Sequence, residues 1–335
     1  MTPEPARIAA MNDVERYIQA GTRENTRRSY RAAIEHFEVS WGGFLPASSE
    51  SILRYLAAHA DKLAYSTLKQ RLAALAQWHV SQGFPDPTKA PAVRQVLKGI
   101  RALHPAQVRQ AAPLQLQHLA QASDWLEHEA RRAEVCGERA ALLRCRRDAA
   151  LLLIGFWRGF RSDELCRLRV EDIRAEAGRG MSLFLPYGKG DREHRGTTYQ
   201  APALARLCPV EAYLQWLAAS GLQQGPVFRR IDRWGNLAED GLHANSLIAL
   251  LRQILGRAGI EADTYTSHSL RRGFATWATR NGWDIKALMS YVGWKDAASA
   301  LRYIDPAQSF GGLARASADE PAIALARPMP ETGDN

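Results

Sequence analysis

The sequence predicts a mainly α protein in two parts, an N-terminal helical domain and a larger, mostly helical domain interrupted by a small β-hairpin or sheet. Three observations carry this. Apolar residues recur at helical spacing along most of the chain; a carboxylate-free, proline-broken stretch divides it; and one short alternating segment flanks a Gly-Lys-Gly-Asp turn. At 335 residues the chain holds about two domains' worth of sequence.

Taken in order, residues 1–11 show no helical period and read as a flexible N-terminus. Residues 12–104 read as four or five helices, with apolar positions such as Ile52 and Leu56, then Leu68, Leu72 and Leu75, separated by loops at Gly42-Gly43 and Gly83-Phe84-Pro85. Between Pro87 and Ser123 there is no Asp or Glu, whereas Lys89, Arg94, Lys98, Arg101 and Arg109 are present. Residues 105–112 within it read as a basic linker, suited to crossing an anionic surface. Residues 113–309 form the second domain. Its longest apolar run, residues 149–157, is half of what a bilayer span of about 20 residues needs, and Arg158 follows it. Residues 181–185 and 197–199 make the hairpin. Residues 310–316 suggest a short apolar helix, and the rest of the tail, to 335, reads as disordered.

Composition narrows the function. Lys and Arg number 44 against 35 Asp and Glu, a formal charge of +9, which favours a polyanionic partner and puts nucleic acid ahead of membrane. The first residues carry no secretion or organelle signal, so a cytoplasmic location is expected. Cys136, Cys145, Cys166 and Cys208 stand far apart with no Cys-x-x-Cys pair, arguing against a disulfide framework and a zinc site.

Several residues could carry chemistry, although each has an ordinary structural explanation when taken singly. Arg161 precedes Ser162, an apt helix N-cap, with Asp163 and Glu164 in the first turn; a guanidinium there could add its donors to free backbone N–H groups and hold a phosphate, or simply pair with Glu164. Lys189 lies on the hairpin turn, which lacks the Ser/Thr of a Walker loop. His268 and Arg271, three apart on a helix, fall opposite the apolar stripe Leu270, Phe274 and Trp277. Trp294 and Tyr303 close the series, both residue types that usually pack.

Their order along the chain is what the single readings leave unexplained. Arg161-Ser-Asp-Glu-Leu, Lys189, His268-Ser-Leu-Arg271, Gly293-Trp294 and Leu301-Arg-Tyr303 together resemble the tyrosine site-specific recombinases, the phage integrase family. Thr26-Arg-Arg-Ser-Tyr-Arg31 and Ser66-Thr-Leu-Lys-Gln-Arg71 resemble that family's helical, SAM-like core-binding domain, so the likeness runs over about residues 12–316.

The resemblance implies a clamp of two domains around double-stranded DNA and a covalent 3′-phosphotyrosine intermediate. Tyr303 would be the nucleophile. Arg161 and Arg271 would stabilise the phosphate, His268 would handle the tyrosine proton, Lys189 would protonate the leaving 5′-oxygen, Trp294 would donate to the phosphate, and Glu164 would orient Arg161. It also implies strand exchange through a four-way Holliday junction without ATP, metal or cofactor, by a homotetramer on inverted-repeat sites. Arg28, Lys69, Arg71 and Arg272 are candidates for DNA contact. Two alternatives stay open: a catalytically silent, sequence-specific DNA-binding or accessory protein, and a relaxing enzyme of the type IB topoisomerase kind.

Overall fold

A computed structural model describes residues 21, 24–105, 111–186, 195–294 and 296–301. The expected nucleophile Tyr303, the hairpin Lys189, residues 1–11 and the tail 310–335 lie outside the described residues. The chain divides into two compact units, Met1–Arg109 and Gln110–Asn335.

In the first unit α1 (Glu24–Glu35) runs into a π-helical turn (His36–Ser40) and is followed by α2 (Ser49–Ala58), α3 (Tyr65–Ser81) and α4 (Pro91–Leu103). Each start has a local cause. The Ser48 hydroxyl accepts the Ser51 N–H at 3.2 Å to open α2, and Pro91 opens α4 at a position where its missing N–H costs nothing. The helix-spaced Ile52, Leu56, Leu68, Leu72 and Leu75 are all buried, and Phe37, Tyr55, Val93 and Ile100 complete the core.

The second unit comprises α5 (Leu116–Val135), α6 (Arg139–Arg158), α7 (Ser162–Cys166), α8 (Pro209–Ser220), α9 (Ser246–Arg257), α10 (Ser269–Arg280), α11 (Ile285–Val292) and α12 (Ala297–Leu301). α6 is its axis and packs against α5, α8 and α10. The apolar run noted in the sequence forms the second half of α6 and is buried from Ala150 onward, Arg158 included. Gly159, with φ +57°, takes the left-handed conformation that ends this helix and turns the chain toward α7. Among the described residues no helix is long and apolar enough to cross a membrane.

The expected hairpin is present as β2 (Gly180–Leu185) and β3 (Thr197–Pro202), paired antiparallel up to Leu185 opposite Thr197. Two pieces of β structure go beyond that expectation. β1 (Ile173–Glu176) adds a third antiparallel strand beside β2, and β4 (Arg229–Ile231) pairs with β5 (Leu237–Gly241) in a separate two-stranded sheet. β1 has four residues and β4 three, too few to set up a recognisable alternation.

Two further expectations change. α7 starts one residue earlier than a Ser162 cap implies: Arg161 occupies the N-cap and Ser162 is already helical. Arg271 was expected on a polar face but is 2% exposed, because α10 is enclosed on more than one side and a helical wheel cannot register what packs on the flank opposite the apolar stripe.

Candidate active site

The turn after α6 builds the site. As N-cap of α7, Arg161 leaves its backbone N–H unused by the helix, and Glu164 three residues on accepts it at 2.9 Å. The other oxygen of the same carboxylate accepts the Arg161 guanidinium at 2.5 Å. The Arg161 side chain has no acceptor atom with which to return the bond, so this cap is one-sided.

α10 supplies the second cation. Arg271 donates through Nη1 to the Gly159 carbonyl at 2.7 Å, and that nitrogen lies 3.7 Å from the Glu164 carboxylate. One buried carboxylate, its side chain 5% exposed, thus holds two guanidiniums, of which Arg271 is enclosed and Arg161 is 31% open to solvent. The trio carries a net charge of +1, matched to the single negative charge of a phosphodiester.

Trp294 covers Arg271. Its buried ring sits 5.1 Å from the guanidinium carbon, a distance for a cation–π contact. The ring's place follows from the end of α11: Gly293, with φ +73°, reverses the chain, and the Trp294 N–H donates to the Met289 carbonyl at 2.8 Å.

His268 stands at the N-cap of α10 and is exposed. A turn of hydroxyls fixes its backbone: the Ser269 Oγ accepts the Thr266 N–H at 2.8 Å, and the Thr266 Oγ1 accepts the His268 N–H at 3.2 Å. The Ser267 hydroxyl lies 3.4 Å from His268 Nδ1.

Thus Arg161, Glu164, Arg271 and Trp294 come together from α7, α10 and the segment after α11, with His268 one turn before Arg271. Lys189 falls between β2 and β3 in sequence, and Tyr303 two residues after α12; neither is among the described residues.

Sequence reasoning took Arg158 only as the end of an apolar run. It is 2% exposed and lies against three aromatic rings, its guanidinium carbon 3.8 Å from the centre of Tyr291, 5.0 Å from Tyr199 and 5.8 Å from Phe160. Burial pushes its pKa below the ordinary arginine range, with Tyr291 opposing. Burial also raises the Tyr199 hydroxyl, helped by the charge of Glu164. No local pattern announces such a buried cation.

The candidates for DNA contact are placed as follows. Arg28 is exposed and 4.0 Å from Glu24, and Lys69 is exposed. Arg71 donates through Nη1 to His36 Nδ1 at 2.6 Å and to the Tyr55 hydroxyl at 3.1 Å. Arg272 is half-buried beside Arg271, its N–H donating to the His268 carbonyl. Arg94, Lys98 and Arg101 of α4 are exposed as well.

Of the cysteines, burial pushes the Cys145 thiol up to about 11 and the Cys166 thiol up to about 12, so neither is a nucleophile near neutrality.

The fold is helical with a small antiparallel sheet, two arginines face one buried carboxylate, and residues 141–309 match the phage integrase family. The chain belongs to that family and is a tyrosine recombinase, an enzyme of site-specific recombination. Among curated proteins it is 28% identical over 306 residues to the integrase/recombinase xerD homolog of Selenomonas ruminantium, covering 88% of this chain and 86% of the relative. It is 25% identical to the recombinase cre of Escherichia phage P1, over 78% of this chain and 77% of that protein. Solved structures share the fold. The XerH recombinase in a post-cleavage complex with a palindromic difH substrate has a TM-score of 0.56 at 18% identity, covering 82% of this chain and 75% of that one. A lambda integrase dimer bound to a COC′ core site has a TM-score of 0.55 at 16% identity, covering 89% and 95%.

Proposed function

We propose that this recombinase cleaves and rejoins double-stranded DNA at specific sites through a covalent link between Tyr303 and a 3′-phosphate. The observation that carries the reading is the pair Arg161 and Arg271 held on Glu164, in an order along the chain that ends in a tyrosine. The Tyr303 oxygen attacks the scissile phosphorus, the bond to the 5′-oxygen breaks, and a 3′-phosphotyrosine and a free 5′-hydroxyl result.

A free tyrosine holds its proton up to a pH of about 10, so the proton must leave during attack; His268 accepts it and returns it on rejoining. Lys189 gives a proton to the departing 5′-oxygen. Arg161 and Arg271 bind the non-bridging oxygens, where charge gathers in the transition state, and the Trp294 indole N–H adds a donor. Two fixed guanidiniums supply the charge compensation that metal ions give in other phosphoryl transfers, so the reaction as written calls for no metal. One phosphodiester is exchanged for another of similar energy, so none of the steps calls for ATP.

At the next level, basic residues of both units hold the DNA backbone; Arg28, Lys69, Arg71 and Arg272 are the candidates. Four protomers assembled on two inverted-repeat sites exchange strands through a Holliday junction. Relatives solved on DNA support a DNA partner.

The test is a nicked suicide duplex carrying a site selected by the protein's own binding. The wild-type chain should form an SDS-resistant protein–DNA adduct, whereas Tyr303→Phe should form none and bind the duplex with the same affinity. An adduct with the Phe variant would overturn the nucleophile. Binding with no adduct from either protein would favour a silent DNA-binding role, and relaxation of arbitrary supercoiled DNA without exchange between sites a topoisomerase-like one.

A further inference from the structure

Arg158 closes a circuit of contacts around the candidate site. It donates through Nη1 to the Gln200 carbonyl of β3 at 2.9 Å and through Nη2 to the Tyr291 carbonyl of α11. Among the described residues no carboxylate pairs with it and its Nε meets no acceptor. Two carbonyls and the faces of Phe160, Tyr199 and Tyr291 are what hold the charge.

The rings also touch one another and the site. Phe160 and Tyr199 meet edge to face at 5.1 Å. A Cβ on Gly293 would come 3.2 Å from the Tyr199 hydroxyl, so that glycine is seated directly on Tyr199. From Arg158 the chain leads through Gly159, whose carbonyl holds Arg271, while Tyr291 leads through Gly293 to Trp294, which covers Arg271. The two paths meet on one guanidinium.

We infer that Arg158 is a positioning residue for strand cleavage, pinning the C-terminal end of α11 to the turn after α6 and so setting Trp294 against Arg271. Burying a cation with no carboxylate is a poor way to gain stability, since an apolar side chain of similar volume would fill the space without desolvating a charge. What a guanidinium adds is direction: a planar group with fixed donors fixes two carbonyls on two elements at once. Small shifts in such a frame reach the reacting groups.

The inference rests on the site proposed above, and its test separates the two. Arg158→Met keeps the length and apolar stem of the side chain but removes its donors. On the nicked duplex at saturating protein, Arg158→Met should slow adduct formation by about tenfold to a hundredfold with unchanged DNA affinity. Trp294→Ala should also be slow, and the double variant should be no slower than Trp294→Ala alone, because the lost contact is already absent. Where Arg158→Met does not fold, Arg158→Lys takes its place in the same cycle, keeping the charge but not the fork.

An Arg158 variant that cleaves at the wild-type rate would overturn the inference. So would losses that multiply in the double variant, the mark of two independent effects. Trp294→Ala cleaving at the wild-type rate would instead overturn the site reading, and the inference with it.

Discussion

Glu164 accepts the Arg161 N–H and guanidinium, faces the Arg271 guanidinium at 3.7 Å, and is almost closed to water. Glu164→Gln preserves the shape but removes the charge that holds Arg161 and Arg271 together. The loss should be about 1.5–3 kcal/mol of stability, the range for hydrogen bonds to charged groups, and lie toward the low end because Arg161 is partly solvated. Denaturant melts measure it, and adduct formation at saturating DNA should slow in the same variant while binding persists. This residue shows how far a sequence speaks about a site. Arg161 and Glu164 are legible as an i, i+3 pair next to a helix start, and Tyr303 as the end of a series. That Glu164 also faces Arg271, 107 positions further on, depends on the packing of α10 against the Gly159 turn and on no local spacing. Arg158 was still less legible, since an arginine after an apolar run looks like the place where the run meets water.

Among elements, α10 is tightly constrained. Ala112 and Leu114 donate to the Thr264 and Ser269 carbonyls at 3.4 and 3.0 Å, laying the start of the second unit along the segment that carries His268. A Cβ on Gly273 would stand 2.1 Å from the Leu114 carbonyl oxygen and 2.8 Å from the Phe156 ring. Neither is the end of a flexible side chain, so Gly273→Ala must move α10 or the 112–114 segment. The expected cost is about 1–3 kcal/mol, the usual range for overpacking, read as a lower denaturation midpoint. Cleavage should slow as well, because Arg271 lies only two residues upstream. The helices themselves were readable, since long amphipathic segments repeat their period several times. β1 and β4 were not, because pairing with a neighbour defines strands so short, and their own alternation does not.

Across the whole molecule, each unit has its own apolar core, so each should respond to solution conditions by itself. His36 belongs to the first. Desolvation foremost, then the charges of Arg71 and His59, hold its pKa below the ordinary 6.5. The unfolded chain therefore binds the proton more readily than the folded one, and stability is full above the unfolded pKa and falls as pH drops through it toward the folded value. Calorimetry should show a melting transition of the first unit that moves down as pH falls below 6.5, with His36→Gln weakening that dependence. The circuit through Arg158, Gly159, Arg271, Trp294, Gly293 and Tyr291 has a consequence on a longer timescale. Each member is tied to two others, by contact or along the chain, so replacing one leaves a partner misfitted on either side, and a tolerable replacement is one matched by a second change along the ring. In descendants of this chain these positions should drift together or hardly at all, while the exposed basic residues of α4, outside any such ring, can be exchanged one at a time.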